Sequence, residues 1–228
     1  MYTAATSDRR RLAVLLLAAC ISSAALALLG LRARADAVFP WDPRIQAWLT
    51  SYAEPDEFNA TADDVIGLLL TIGADLTTVT VVLAAVTVLI VGRRFRDSCF
   101  LLASVGGAIV LTYLLKDVFG RDPLTPYGKY ELPSGHATRS LVVAGALLAL
   151  TWSTRWRWRT AIASALFVAT VGASLVYEDW HLPSDVLAGW ALGLAVLTAV
   201  GAVFLTRAGV AVTATVTRCR PGRGGGQR

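Results

Sequence analysis

Six predominantly apolar runs, each about long enough to cross a lipid bilayer, constrain this chain more than any other feature. A hydrocarbon core about 30 Å thick needs about 20 apolar residues per helical span, because backbone polar groups in lipid must be satisfied within the segment. The runs extend over about Leu12 to Leu31, Val65 to Gly92, Cys99 to Leu115, Ser134 to Ser153, Thr160 to Tyr177 and Val186 to Thr206. Composition agrees: 55% of residues are hydrophobic, 16% are charged and mean hydropathy is +0.58, outside the range of ordinary soluble domains. The expected fold is therefore all-α, a polytopic membrane helix bundle of about six transmembrane helices. Residues 32–64, with their Pro, Trp and acidic content, read as an interfacial loop carrying a short amphipathic helix. The expected organisation is a membrane domain over 1–206, with its chemistry within 116–193, and a basic Arg/Gly-rich tail over 207–228. The tail reads as disordered and held at anionic lipid headgroups.

A net charge of +5 raises the question of nucleic acid, but the distribution of charge answers it as membrane orientation. Arg9, Arg10, Arg11, Arg93, Arg94, Arg96, Arg155, Arg157, Arg159, Arg207, Arg218, Arg220, Arg223 and Arg228 all fall on one side of the six-span arrangement. That side holds 14 of the 21 Lys and Arg residues, with only Asp8 and Asp97 among the acids. The positive-inside rule reads it as cytoplasmic, with both ends of the chain inside. No nucleic-acid partner is implied; the expected partners are the bilayer and a lipid. Arg9 to Arg11 before an apolar run resembles a secretory signal, with Ala33-Arg34-Ala35 in the place of a cleavage site. The run, at about 20 residues, exceeds a typical signal core and is read as a retained helix. Cys20, Cys99 and Cys219 lie in a span, at an inner helix end and in the tail, so no disulfide framework is indicated.

The two histidines of the chain occur in similar settings, Leu132-Pro133-Ser134-Gly135-His136 and His181-Leu182-Pro183-Ser184-Asp185, each at the start of a span and on the outer side. Lys116 and Arg121 fall on the same side. Each residue alone has an ordinary structural explanation, since Pro-Ser before a helix is commonly a turn and a cap, and bases near helix ends snorkel. Their convergence from three distant segments is what calls for chemistry. Ser134 and Ser184 read as N-caps, leaving backbone N–H groups and a favourable helix dipole for an anion such as phosphate. Lys116 and Arg121 add positive charge, and Gly135 permits close backbone approach. His181 and Asp185 are four apart, so the carboxylate can hold one imidazole nitrogen while the other attacks phosphorus. His136 is then free to protonate the leaving oxygen. A Ser-His-Asp acyl hydrolase built from Ser134, His181 and Asp185 would leave Lys116 and Arg121 unexplained. A metal site of His136, His181 and Asp185 has the ligand count but no supporting spacing.

These residues resemble the type 2 phosphatidic acid phosphatase family of membrane phosphatases, which is related to the vanadium haloperoxidases. The resemblance spans about residues 116–193. The family shows Lys, six residues, Arg-Pro; then Pro-Ser-Gly-His; then Ser-Arg, five residues, His, three residues, Asp. The second motif is complete as Pro133-Ser134-Gly135-His136, and Ser174, His181 and Asp185 keep the spacing of the third. The first departs, because Lys116 to Pro123 is one residue short and carries the single Arg121. In the third, the usual arginine position is Leu175. The resemblance implies an all-helical bundle with His181 as the nucleophile of a phosphohistidine intermediate, Asp185 as its orienting partner, and His136 as general acid and then base. It assigns Lys116, Arg121, Ser134 and Gly135 to the phosphoryl oxygens and implies no metal and no cofactor.

The expected function is a cell-membrane hydrolase, a phosphatase of lipid metabolism with its site on the extracytoplasmic face. Its substrate would be a lipid-linked phosphate or diphosphate, with polyprenyl diphosphate favoured beside phosphatidic acid and phosphatidylglycerol phosphate. The alternatives are a lipid phosphotransferase of the same chemistry and a non-catalytic lipid-phosphate binder. Two charges inside spans complete the expectations. Asp75 should face the bundle interior, and Arg139, one turn after His136, should supply the phosphate-binding cation missing at position 175, with Asp75 as a candidate partner.

Overall fold

The computed structural model describes residues 2–35, 38–51, 67–68, 75–119 and 132–206. Among these residues the chain is all-helical, with no strand. Its helices are α1 (Tyr2–Ala33), α2 (Asp42–Thr50), α3 (Asp75–Val91), α4 (Phe95–Phe119), α5 (Gly135–Thr151), α6 (Arg157–Tyr177) and α7 (Pro183–Leu205). Asp8–Ala33 of α1, together with α4, α6 and α7, are long and apolar enough to cross a membrane. α3 has the shorter apolar stretch Leu76–Val91, and α5 has 17 residues. The second expected span is described continuously only from Asp75. The Asp75 side chain, Arg121, Cys219 and the tail 207–228 lie outside the described residues.

The outer surface is the inverse of a water-soluble protein's. Leu28, Leu76, Val88 and Val91 are each at least 70% exposed, in keeping with helices solvated by lipid tails. Helix–helix contact in lipid depends on close packing, which explains the composition of α7. It packs against α1, α4, α5 and α6, burying Val186, Ala188, Leu192, Ala195 and Val196. Gly189 and Gly193, four residues apart, form its contact with α5. A Cβ at Gly189 would lie 2.5 Å from the Ser134 carbonyl oxygen, and one at Gly193 would lie 3.0 Å from that of Thr138. The two backbones therefore touch, and their first turns stand side by side. Two buried threonine hydroxyls are returned to the local backbone: Thr112 Oγ1 donates to Ala108 O at 2.8 Å and Thr138 Oγ1 to Ser134 O at 2.8 Å.

The opposite end of the bundle carries Arg94, Arg96, Arg155, Arg157 and Arg159. Arg94 pairs with Asp97 at 2.6 Å, and Arg96 donates to the Phe204 carbonyl. Arg155, between α5 and α6, and Arg159, in the first turn of α6, hold their guanidinium groups 5.3 and 4.9 Å from the Trp156 ring centroid. Such Trp–Arg clusters suit a membrane interface, where an apolar ring and a hydrated cation are both accommodated.

Candidate active site

The chemistry-bearing residues assemble where α5 and α7 begin. Ser134 is the N-cap of α5, with extended backbone (φ −63°, ψ 120°) and Oγ accepting from the Ala137 N–H at 3.4 Å. Gly135 is the first helical residue, placed at the positive end of the helix dipole. His136 follows, half-buried, its ring edge-to-face with Trp180 at a centroid distance of 6.0 Å.

A tight reversal at the end of α6 delivers the second histidine. Asp179 adopts φ 55°, a left-handed conformation that Asp tolerates better than most residues. The N–H groups of Trp180 and His181 then donate to the Leu175 carbonyl at 3.1 and 3.2 Å. Leu182 is extended and caps α7, and Asp185 Oδ2 accepts the Leu182 N–H at 3.0 Å. His181 Nδ1 faces the same carboxylate, 3.8 Å from Oδ2, with side-chain exposures of 8% and 0%. The two helix starts are tied directly, since the Ser134 N–H donates to the Asp185 carbonyl at 3.0 Å.

The structure thus brings Ser134, Gly135, His136, His181 and Asp185 together. Arg139 belongs to the same group: it is buried, and its guanidinium folds back over Gly135, where a Cβ would stand 2.8 Å from Nη1. Lys116 lies half-buried in the last turn of α4, at the same end of the bundle. Leu175, at the position of the family's usual arginine, is fully buried in an apolar cluster with Ala137, Val171, Val176 and Val186.

Ser184 differs from its sequence reading. It is not an N-cap but the second residue of α7, because Pro183 occupies the first helical position, where its fixed φ and missing N–H are tolerated. Its Oγ donates to Asp42 Oδ2 at 2.8 Å and its N–H to Asp42 Oδ1 at 2.9 Å. Asp42, from the interfacial segment, was missed as a site residue, as was Trp180 beside His136. The short helix expected within residues 32–64 is present as α2, but no local pattern points to a partner 142 positions away.

Comparison with known proteins follows the same segments. The profile of the PAP2 superfamily matches residues 97–209. An undecaprenyl-diphosphatase of Sulfolobus acidocaldarius is 44% identical over 64 residues, 28% of this chain, and the chain spans only 29% of that relative's length. The crystal structure of a transmembrane PAP2-type phosphatidylglycerolphosphate phosphatase from Bacillus subtilis superposes with a TM-score of 0.63, covering 86% of this chain and 97% of that one. At 22% identity this likeness shows a shared fold.

Proposed function

The chain belongs to the PAP2 superfamily through residues 97–209, and from that premise we propose that it is a membrane phosphatase acting on a lipid-linked phosphate or diphosphate. One observation carries the reading: the Ser134–Asp185 hydrogen bond joins two helix starts, each bearing a histidine, one of them facing a buried carboxylate. His181 attacks phosphorus with the nitrogen opposite Nδ1, while Asp185 orients the ring and stabilises its positive charge. The P–O bond to the leaving group breaks as His136 donates a proton to that oxygen. His136, now neutral, takes a proton from water, whose oxygen attacks phosphorus and breaks the P–N bond, regenerating His181. The N–H groups at the start of α5, with Lys116, Arg121 and Arg139, balance the charge on the phosphoryl oxygens.

A polyprenyl diphosphate is the favoured substrate, in keeping with the diphosphatase relative; phosphatidylglycerol phosphate, the substrate class of the structural neighbour, is the next to test. Purified protein is expected to release phosphate from a polyprenyl diphosphate faster than from phosphatidic acid or phosphatidylglycerol phosphate. Orthovanadate should inhibit, because its trigonal-bipyramidal form mimics the phosphoryl transition state, whereas EDTA should not. EDTA inhibition reversed by added zinc or magnesium would replace the histidine mechanism with a metal-dependent one. The buried Leu175 favours one second reading, a lipid-phosphate binder without turnover, which the same panel would reveal as binding without release.

The proposed arrangement has six spans, both ends of the chain inside and the site outside, supported by the alternation of arginine clusters. A cysteine replacing Lys129, in a chain whose own cysteines are changed to serine, should then react with an impermeant maleimide in intact cells. Labelling confined to permeabilised cells would invert the topology.

A further inference from the structure

We propose that Asp42 is a positioning residue for the phosphoryl-transfer site, fixing the first turn of α7 and so the aim of His181; the inference rests on the phosphatase reading. The Asp42 side chain is fully buried and its carboxylate accepts three hydrogen bonds, from Phe39 N–H at 3.1 Å, Ser184 N–H at 2.9 Å and Ser184 Oγ at 2.8 Å. Ser184 stands between His181 and Asp185. α7 is thus gripped on one side by Asp42 and on the other by the Ser134 N–H on the Asp185 carbonyl.

α2 is built as a brace for this grip. Asp42, Gln46 and Leu49 recur at helical spacing and engage three parts of the site's support. Asp42 holds the α7 start, Gln46 Nε2 donates to Asp179 Oδ1 at 2.6 Å in the reversal before His181, and Leu49 packs on the cluster around Leu175. Trp41, Ile45 and Trp48 are left exposed along the adjacent stripe.

The carboxylate also makes the two helix starts chemically unequal. N–H groups at the α7 terminus are taken up by Asp42 and Asp185, two negative charges that disfavour an anion there. The α5 terminus is capped by neutral Ser134. Phosphate is therefore directed to α5, and the nucleophile approaches from α7.

The test compares full-length wild-type protein with Asp42→Ala, Asp42→Asn, Ser184→Ala and the Asp42→Ala/Ser184→Ala pair, by steady-state phosphate release and by thermal unfolding in detergent. Misplacing a reacting group by about 1 Å can cost on the order of 100-fold. Asp42→Ala is expected to lower kcat about 20-fold with KM within about twofold. Asp42→Asn should fall between wild type and Asp42→Ala, since the amide still accepts from the Ser184 N–H and the Ser184 hydroxyl can turn to accept from its NH2, while the Phe39 N–H loses its acceptor. The double variant should be no worse than Asp42→Ala alone, in kcat and in unfolding midpoint. A folded Asp42→Ala protein with wild-type kcat, or one whose change lies in KM alone, overturns the proposal, as do multiplicative losses in the double variant. If Asp42→Ala does not fold, Ser184→Ala alone decides: it removes the hydroxyl bond to Asp42 and should lower kcat with KM within about twofold, and a folded Ser184→Ala protein with wild-type kcat then overturns the proposal. Wild-type protein that releases no phosphate but retains the coupling in unfolding midpoints sinks the phosphatase reading and leaves the Asp42–Ser184 grip standing.

Discussion

Replacing His181 with alanine is expected to lower phosphate release by on the order of 10⁴-fold or more, the scale seen when a covalent nucleophile is removed. The expectation follows from the surroundings of the imidazole. Its Nδ1 edge faces Asp185, and its backbone is fixed by the N–H bond to the Leu175 carbonyl, which alanine preserves. The variant should therefore keep its fold, measured as a wild-type unfolding midpoint, while losing the nucleophile. His136→Ala should behave differently: the nucleophile is intact, while the proton for the leaving oxygen and the base for water are both lost, so the phosphohistidine forms slowly but persists, and long incubation with radiolabelled substrate should leave phosphorus on the protein. His181→Ala should retain none. Turnover in folded His181→Ala comparable to wild type would end the phosphohistidine mechanism, whatever lipid proves to be the substrate.

The fold was legible to the extent that lipid writes itself into sequence. The expected runs Leu12 to Leu31, Cys99 to Leu115, Thr160 to Tyr177 and, but for the C-cap Thr206, Val186 to Thr206 fall on observed helices, α1, α4, α6 and α7. The helices extend further, α4 taking in Arg96 and Asp97 and α6 Arg157 and Arg159, because a run cut at its first charge stops where the hydrocarbon stops, whereas a helix continues into the headgroup layer. The pairing of α5 with α7 carried a sequence signal too, the Gly189-x-x-x-Gly193 spacing, which marks a close backbone approach without naming the partner. Local similarity misled in one place. Pro133-Ser134 and Pro183-Ser184 look alike, but the first serine precedes its helix and the second lies within it. The register was decided by Asp185 reaching back to Leu182, and by Asp42 taking the Ser184 donors. Helical periodicity encodes which face of a segment is apolar; it does not encode which distant loop returns to it, so the His181–Asp185 pair was readable and its brace was not.

Arg139→Leu is expected to lower turnover on the order of 100-fold, the typical cost of losing one donor to a transition-state oxyanion. Arg139 lies one turn into α5, about 4.5 Å of rise beyond His136, and helical side chains lean toward the N-terminus, here the mouth of the site. The structure places the guanidinium over Gly135, where Nη1 would crowd any Cβ. The glycine thus makes room for the cation beside the N–H groups proposed to hold phosphate. At position 175 the alternative is closed in the native chain, since Leu175 is packed among Val171, Val176 and Val186 with no exposed surface. Leu175→Arg alone should therefore be harmful, burying a second guanidinium in an apolar cluster. In the Arg139→Leu background the same substitution should recover part of the lost turnover, because one cation is exchanged for another across the α5–α6 contact and total side-chain volume is nearly kept. A reversal of sign between the two backgrounds is the signature of a relocated ligand; a cation that merely anchors α5 would give losses that add. Undiminished turnover in folded Arg139→Leu would refute the relocation and would mean that this site works with fewer cations than its family's third motif supplies.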